Sequence, residues 1–259
     1  MAVSEFLSKR ILITGASSGI GAGLAKAFAK RGASLSIVGR NETNLKKVAR
    51  ECKELGAKKI LPIIADLAII KDVERVVKET LASFEGLDIL INNAGVALPT
   101  PVAETKVSEF DFIFAVNTRA PVILTKLVVP HLEQSKGNII NVSSVVTEVN
   151  LPAMNVYSMS KAALNKFTKT AALELAKKGI RVNAVNPASV KTNINRYLDE
   201  NMARKIQKNV GMLHPLGRRA VSIDEVVNAV LFLASNDARM ITGTCLMADR
   251  GFVLAGGRL

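Results

Sequence analysis

The sequence predicts an α/β protein with a parallel sheet covered by helices on both faces. Short β-branched runs alternate with longer segments of helical period from the start of the chain, which is the pattern of strands buried on both faces and joined by helical crossovers. A glycine-rich turn stands directly after the first of those runs. With 259 residues, 49% of them hydrophobic, the chain can bury a large core and still form one globular unit, residues 1–259.

The candidate strands are Arg10–Thr14, Ser34–Gly39, Lys59–Ala65, Asp88–Asn92, Gly137–Ser143, Ile180–Asn186 and Thr244–Ala248. Between the first two, Ile20, Leu24, Ala27 and Phe28 share one helical face and Gly32 stops the helix, giving a βαβ opening. The second crossover spans Glu42–Leu55, after the cap Asn41 and before Gly56, and the third spans Lys71–Phe84. Ser108–Glu133 forms a long helix that must accommodate Pro121 and Pro130. Tyr157–Lys178 forms another, ended by Gly179. The polar stretch from Lys191 to Arg219, with a helical piece near Asp199–Val210, follows a late strand and is expected either to cover a substrate as a lid or to pack as a surface helix pair.

Composition excludes several classes. The two cysteines, Cys52 and Cys245, are far apart and make no metal-ligand spacing, so neither a disulfide framework nor a metal site is expected. No signal peptide fits before Ile11, and no apolar run approaches the roughly 18 residues of a spanning helix, so a cytoplasmic protein without membrane contact is expected. The ending Gly257-Arg258-Leu259 is similar to a peroxisomal address with Gly in place of Ser, which leaves that compartment as the alternative. The formal charge of +13 is spread over separated pairs such as Lys46-Lys47 and Arg218-Arg219, a solvated surface rather than a nucleic-acid track.

Thr14-Gly15-Ala16-Ser17-Ser18-Gly19-Ile20-Gly21 stands between a strand and an amphipathic helix. Glycines there permit a tight turn and bring backbone N–H groups close to a pyrophosphate, which the helix N-terminus also favours. About twenty residues further on, where an NAD-selective protein places a carboxylate for the ribose 2′-hydroxyl, this chain has Arg40. A guanidinium there favours a 2′-phosphate and hence NADP(H) over NAD(H). Asp66 is a candidate for the adenine amino group, and Asn92-Asn93-Ala94-Gly95 supplies a small-residue turn beside the cofactor. Asn92 is equally readable as a buried amide that ties loops together.

Tyr157 and Lys161 are four residues apart on a helix and share a face. An ammonium beside a phenol favours the phenolate, lowers a pKa of about 10, and so suits proton exchange near neutral pH. Ser144 precedes Tyr157 by thirteen residues, at the end of the fifth strand.

Thr14 to Gly21, Asn92 to Gly95, Ser144, and Tyr157-Ser158-Met159-Ser160-Lys161 together resemble the short-chain dehydrogenase/reductase family, in order and spacing over nearly the whole chain. The resemblance implies a doubly wound Rossmann-type domain with a seven-stranded parallel sheet, usually assembled as a homotetramer through the two long helices. It implies that Tyr157 exchanges the proton, Lys161 lowers its pKa and bonds the nicotinamide ribose, and Ser144 holds the substrate oxygen. It further implies that Asn117 helps complete a water-borne proton relay to Lys161, that Thr192 meets the nicotinamide carboxamide, and that Pro187 borders the cofactor. Two departures stand out: Ala188 replaces the usual glycine at the floor of the site, and Arg250 interrupts a glycine run where it could alter a subunit contact.

Val145, Val149, Leu151, Met154, Val96 to Pro99 and the residues after Pro187 are the expected pocket walls, more apolar than charged. They suit a carbonyl on a small or medium, partly apolar molecule. Several segments are similar to carbonyl and xylulose reductases and to 3-oxoacyl reductases, so dicarbonyl, sugar ketone, steroid and oxoacyl substrates stay open. A cofactor-binding sensor without turnover is the alternative to an enzyme.

Overall fold

A computed structural model of the chain describes residues 3–192, 194 and 212–256. Within them seven strands form one wholly parallel sheet: β1 (Arg10–Thr14), β2 (Ser34–Gly39), β3 (Lys59–Ile64), β4 (Ile89–Asn92), β5 (Asn138–Val142), β6 (Arg181–Pro187) and β7 (Cys245–Ala248). Each strand boundary falls within one residue of the one read from the sequence. The helices are α1 (Gly19–Ala29), α2 (Glu42–Glu54), α3 (Ile70–Phe84), α4 (Val107–Phe114), α5 (Ala120–Ser135), α6 (Asn155–Leu175) and α7 (Ile223–Ala234). The helical piece expected near Asp199–Val210, most of the expected lid, and the Gly257-Arg258-Leu259 ending lie outside the described residues.

The near-continuous apolar strands follow from burial on two faces. Ile11, Ile13, Ile37, Ile91 and Ile140 enter the core under α1, α2 and α7, where Leu24, Val48 and Val230 meet them. Leu12, Val38, Leu90 and Ile139 point the other way, to Val76, Leu124 and Ala171 of α3, α5 and α6. Each fully buried aliphatic side chain contributes about 1.5–3 kcal/mol. Pro62, which cannot donate to a ladder, is tolerated because β3 is an edge strand.

The helix starts have local causes. Asn41 caps α2 by accepting a 2.8 Å bond from Asn44 N. Ser222 and Glu225 make a reciprocal capping box on α7. The expected long helix around Pro121 is two helices joined by a π-helical turn, Ala115–Arg119, in which Ala120 N bonds to Ala115 O. Pro121 has no N–H to return to the preceding turn, and the helix widens there. Pro130 lies inside α5 without ending it. The whole rod, Val107–Ser135, is long and apolar enough to cross a bilayer by length and composition, contrary to the sequence expectation. Half of its 18-residue apolar stretch is buried inside the fold, and Leu124, Val128 and Leu132 lie against the sheet, as in a core helix.

The strand order is β3-β2-β1-β4-β5-β6-β7. The chain thus winds outward from β1 in one direction and from β4 in the other. A crevice opens beyond the carboxyl ends of strands at such a switch point, and both the glycine turn and the β4 turn lie there.

Candidate active site

The cleft beyond the strand ends encloses about 550 Å³ and runs from Arg40, Asn41 and Asp66 past the glycine turn to Ser144 and Tyr157. The close approach of the turns beside it depends on missing side chains. Gly15 has φ +67°, and a Cβ on it would lie 2.7 Å from Ala94 Cα. A Cβ on Gly21 would lie 2.3 Å from Gly15 O, so Gly21 is required for packing and does not itself line the cleft. Ser17, Ser18, Gly19 and Ile20 do line it. The Ser18 side chain makes no cap hydrogen bond to α1, which leaves the first-turn N–H groups to meet an anion.

Asn93 was expected to touch the cofactor, and it borders the cleft with Ala94 and Gly95. Its amide, however, donates to Thr14 O (2.8 Å) and Gly15 O (3.2 Å). Thr14 Oγ1 in turn accepts from Asn93 N and Ala94 N, each at 3.0 Å. The pair locks the glycine turn to the β4 turn. Asn92 is a buried tie: its amide donates to Asn141 Oδ1 at 2.9 Å, and Asn141 donates to Thr168 Oγ1 on α6 at 2.9 Å.

At the outer end Arg40 and Asp66 are brought together, with Nη1 and Oδ2 3.6 Å apart and both side chains partly exposed. Asp66 Oδ1 also accepts from Ala68 N. A planar cation and a carboxylate therefore flank one mouth, a combination able to meet a phosphate and an amino group.

The inner end is built from β5 and α6. Ser144 leaves β5 as the cap of a 3₁₀ turn, Val145–Thr147, its Oγ accepting from Val146 N. Tyr157 is in the first turn of α6 and Lys161 one turn later; they are 9% and 3% exposed. Lys161 Nζ donates to Val142 O at 2.8 Å and stands 5.9 Å from the Tyr157 ring centre. Burial pushes the Tyr157 phenol up to about 12, against a smaller pull downward from its hydrogen bond with Ser144. Burial also lowers Lys161 to about 8. The expected lowering of the phenol by its lysine is thus absent here: loss of hydration dominates, and the ammonium is turned to a backbone carbonyl.

Asn117 lies in the π turn, fully buried. Its Oδ1 accepts from Val96 N, and its Nδ2 donates to Val96 O and Ser160 Oγ, all within 3.0 Å. Its side chain is therefore a fixed strut. Gly95 leaves room between it and the lysine, since a Cβ there would be 3.6 Å from both Asn117 Oδ1 and Lys161 Nζ. Thr192 packs on Gly19 and lines the cleft, as do Pro187 and Ala188.

Among the expected walls, Val96, Ala97, Val145, Leu151 and Met154 are confirmed. Val149 instead belongs to the core, and Leu98 and Pro99 do not face the cleft. Val146, Ile194 and Phe252 were missed. Phe252 arrives from beyond β7, where the Asp249 carboxylate accepts from Gly251 N and Val253 N and shapes the turn that presents the ring. An Asp before a glycine was the available signal. Arg250, read as a residue that could alter a subunit contact, has a side chain only 9% exposed that pairs with Glu225 and donates to Leu216 O of the same chain.

Comparison with known proteins agrees with this geometry. The profile of the family described as enoyl-(acyl carrier protein) reductase matches residues 15–253. A solved short-chain dehydrogenase/reductase of unknown function from Caenorhabditis elegans, with cofactor, superposes with a TM-score of 0.91 at 33% identity, covering 96% of this chain and 97% of that one. The chain belongs to the short-chain dehydrogenase/reductase family. It is an oxidoreductase of that family, whose members use a nicotinamide cofactor. Among curated short-chain dehydrogenases/reductases it is similar to the L-xylulose reductase of C. elegans, 38% identical over 96% of this chain and 97% of the relative. It is also similar to carbonyl reductase (NADPH) 2 of Sus scrofa, 34% identical over 96% of this chain and 98% of the relative.

Proposed function

We propose that this chain reduces an uncharged, largely apolar carbonyl compound to a secondary alcohol with NADPH. The observation that carries the reading is one cleft with Arg40 at its outer end and Ser144, Tyr157 and Lys161 buried at its inner end. The glycine turn, the α1 N-terminus and the Arg40–Asp66 mouth fit a dinucleotide with a 2′-phosphate, and Pro187 and Thr192 would border its nicotinamide.

A bound reduced nicotinamide supplies the hydride to the carbonyl carbon. The Ser144 hydroxyl donates to the carbonyl oxygen, and the Tyr157 phenol delivers the proton that completes the alcohol. Lys161, still cationic at neutral pH and 5.9 Å from the Tyr157 ring centre, would bond the ribose of a bound cofactor. Asn117 supports this set by fixing Val96 and Ser160, with the relay to Lys161 passing through water. The reverse reaction uses Tyr157 as acceptor.

The walls favour an apolar partner. Among the described lining residues the charged ones are Arg40, Asp66 and Lys161, and the first two belong to the outer mouth. Around Tyr157 the cleft offers Ala97, Val146, Leu151, Met154 and Ile194. Such walls leave sugar hydroxyls unpaired and accept an alkyl or ring substituent. Exposed Val107, Phe110, Val122, Met159 and Leu173 on α4, α5 and α6 support assembly of a homotetramer through these helices.

The test is consumption of NADPH and NADH with diketones, apolar ring ketones, sugar ketones and oxoacyl thioesters. Turnover with NADPH and the apolar carbonyls is expected. Turnover only with NADH refutes the cofactor assignment; tight NADPH binding with no turnover on any class favours a sensor.

A further inference from the structure

The turn that carries Ser144 is held by a hydroxyl outside the set described so far. Thr147 Oγ1 accepts from Asn165 Nδ2 at 3.2 Å and from Asn186 Nδ2 at 3.1 Å. It lies 3.1 Å from Ser144 O, to which it donates, with Glu148 Oε1 as the alternative acceptor at 3.2 Å. One hydroxyl has one proton and two lone pairs, so this site uses its full bonding capacity. Asn165 and Asn186 are 7% and 0% exposed, and among the described residues their Oδ1 atoms have no partner. The polar anchoring of both amides therefore converges on Thr147.

The three segments joined there are the three that assemble the inner end of the cleft. Ser144 begins the turn that Thr147 ends. Asn165 is four residues beyond Lys161 and eight beyond Tyr157, on the same face of α6. Asn186 immediately precedes Pro187, which borders the cleft. We propose that Thr147 is a positioning residue that holds Ser144 in register with Tyr157 and with the end of β6. This inference rests on the roles given above to Ser144 and Tyr157. Proton delivery depends on such registers, since a shift of about 1 Å can cost about 100-fold in rate.

The experiment is a comparison of Thr147→Val, Thr147→Ser and Ser144→Ala in the full chain, with NADPH and the best carbonyl substrate. Thr147→Val keeps the shape but leaves two buried amides without an acceptor. Its kcat should fall about 10- to 100-fold, with KM and NADPH affinity within about twofold. Thr147→Ser should recover to within about threefold of the parent, because the hydroxyl is restored. The limb of the pH profile governed by Tyr157 should move to higher pH in Thr147→Val, because a displaced Ser144 no longer stabilises the phenolate. A folded Thr147→Val with unchanged kcat and pH profile, or equal impairment of Val and Ser variants, overturns the proposal. If Thr147→Val does not fold, Asn165→Leu, which removes one donor and leaves no amide unpaired, must give a smaller kcat loss with the same direction of pH shift; an unchanged profile overturns the proposal there too. Ser144→Ala separates the two levels. If it retains full turnover, the reading of the catalytic site fails; if it is inactive while Thr147→Val is normal, only the role of Thr147 fails.

Discussion

The two ends of the cleft are made by opposite means. At the glycine-turn end the chain omits side chains: Gly15 and Gly21 let backbone approach backbone, and Thr14 and Asn93 pin the two turns. At the inner end it buries polar side chains, with Tyr157, Lys161, Asn117 and Ser144 all at most 9% exposed. The first device fixes a shape and leaves Arg40 as the cation at the rim. The second fixes protonation, because burial moves Tyr157 up and Lys161 down before any ligand arrives. Binding and proton transfer should therefore respond separately to substitution, and each prediction below can break that separation.

The largest stability effect is expected at Lys161, in the cofactor-free protein. Below pH 8 both folded and unfolded chains carry the ammonium, and the folded chain bears the cost of burying it. Between about 8 and the ordinary 10.5 the unfolded chain holds the proton that the folded chain has released, so stability rises with pH. Tyr157 acts in the opposite sense above pH 10, where the unfolded phenol ionises and the folded one, at about 12, does not. Denaturant titrations of the parent and Lys161→Met should differ by an amount that changes by about 3 kcal/mol across pH 8 to 10.5. A pH-independent difference would mean that Lys161 is hydrated.

Gly21→Ala tests the other end. With 2.3 Å between the new Cβ and Gly15 O, the glycine turn must shift. The expected cost is about 1–3 kcal/mol in thermal or denaturant stability, with cofactor affinity at least about tenfold weaker. Normal affinity would show that the close approach of the turn is not what binds phosphate. Arg40→Asp should have a narrower effect, moving the ratio of NADPH to NADH affinity by about 10-fold or more, the value of a charge-assisted bond. Equal loss with both cofactors would contradict phosphate recognition by Arg40. Stability should be nearly unchanged, since Arg40 is partly exposed.

The glycine-turn end was also the more legible in sequence. Backbone devices have local signatures, and Gly15, Gly19 and Gly21 between a strand and an amphipathic helix could be read within eight residues. The strands were equally plain, because burial on both faces leaves uninterrupted apolar runs bounded by turn residues. Ser144, Tyr157 and Lys161 were found from their order along the chain, but their ionisation was not. The direction of the Tyr157 shift depends on how much water the fold removes, which no four-residue spacing records. Asn93 was placed by position at the cleft it borders, and Asn117 beside it, while the side chains of both are struts bonded to the protein itself. Thr147 was missed because the amides that meet it, Asn165 and Asn186, are 18 and 39 residues away, and Phe252 because its turn is local but its place at the cleft depends on a fold that returns the C-terminal segment there.

The most direct test of this division is to measure NADPH affinity and carbonyl turnover in the same preparation of Tyr157→Phe. NADPH dissociation should stay within about twofold of the parent while kcat falls by about 100- to 10,000-fold, the range for removing a general acid. Turnover close to the parent would contradict proton delivery by Tyr157, and a parallel loss of NADPH binding would contradict the separation between the two ends of the cleft.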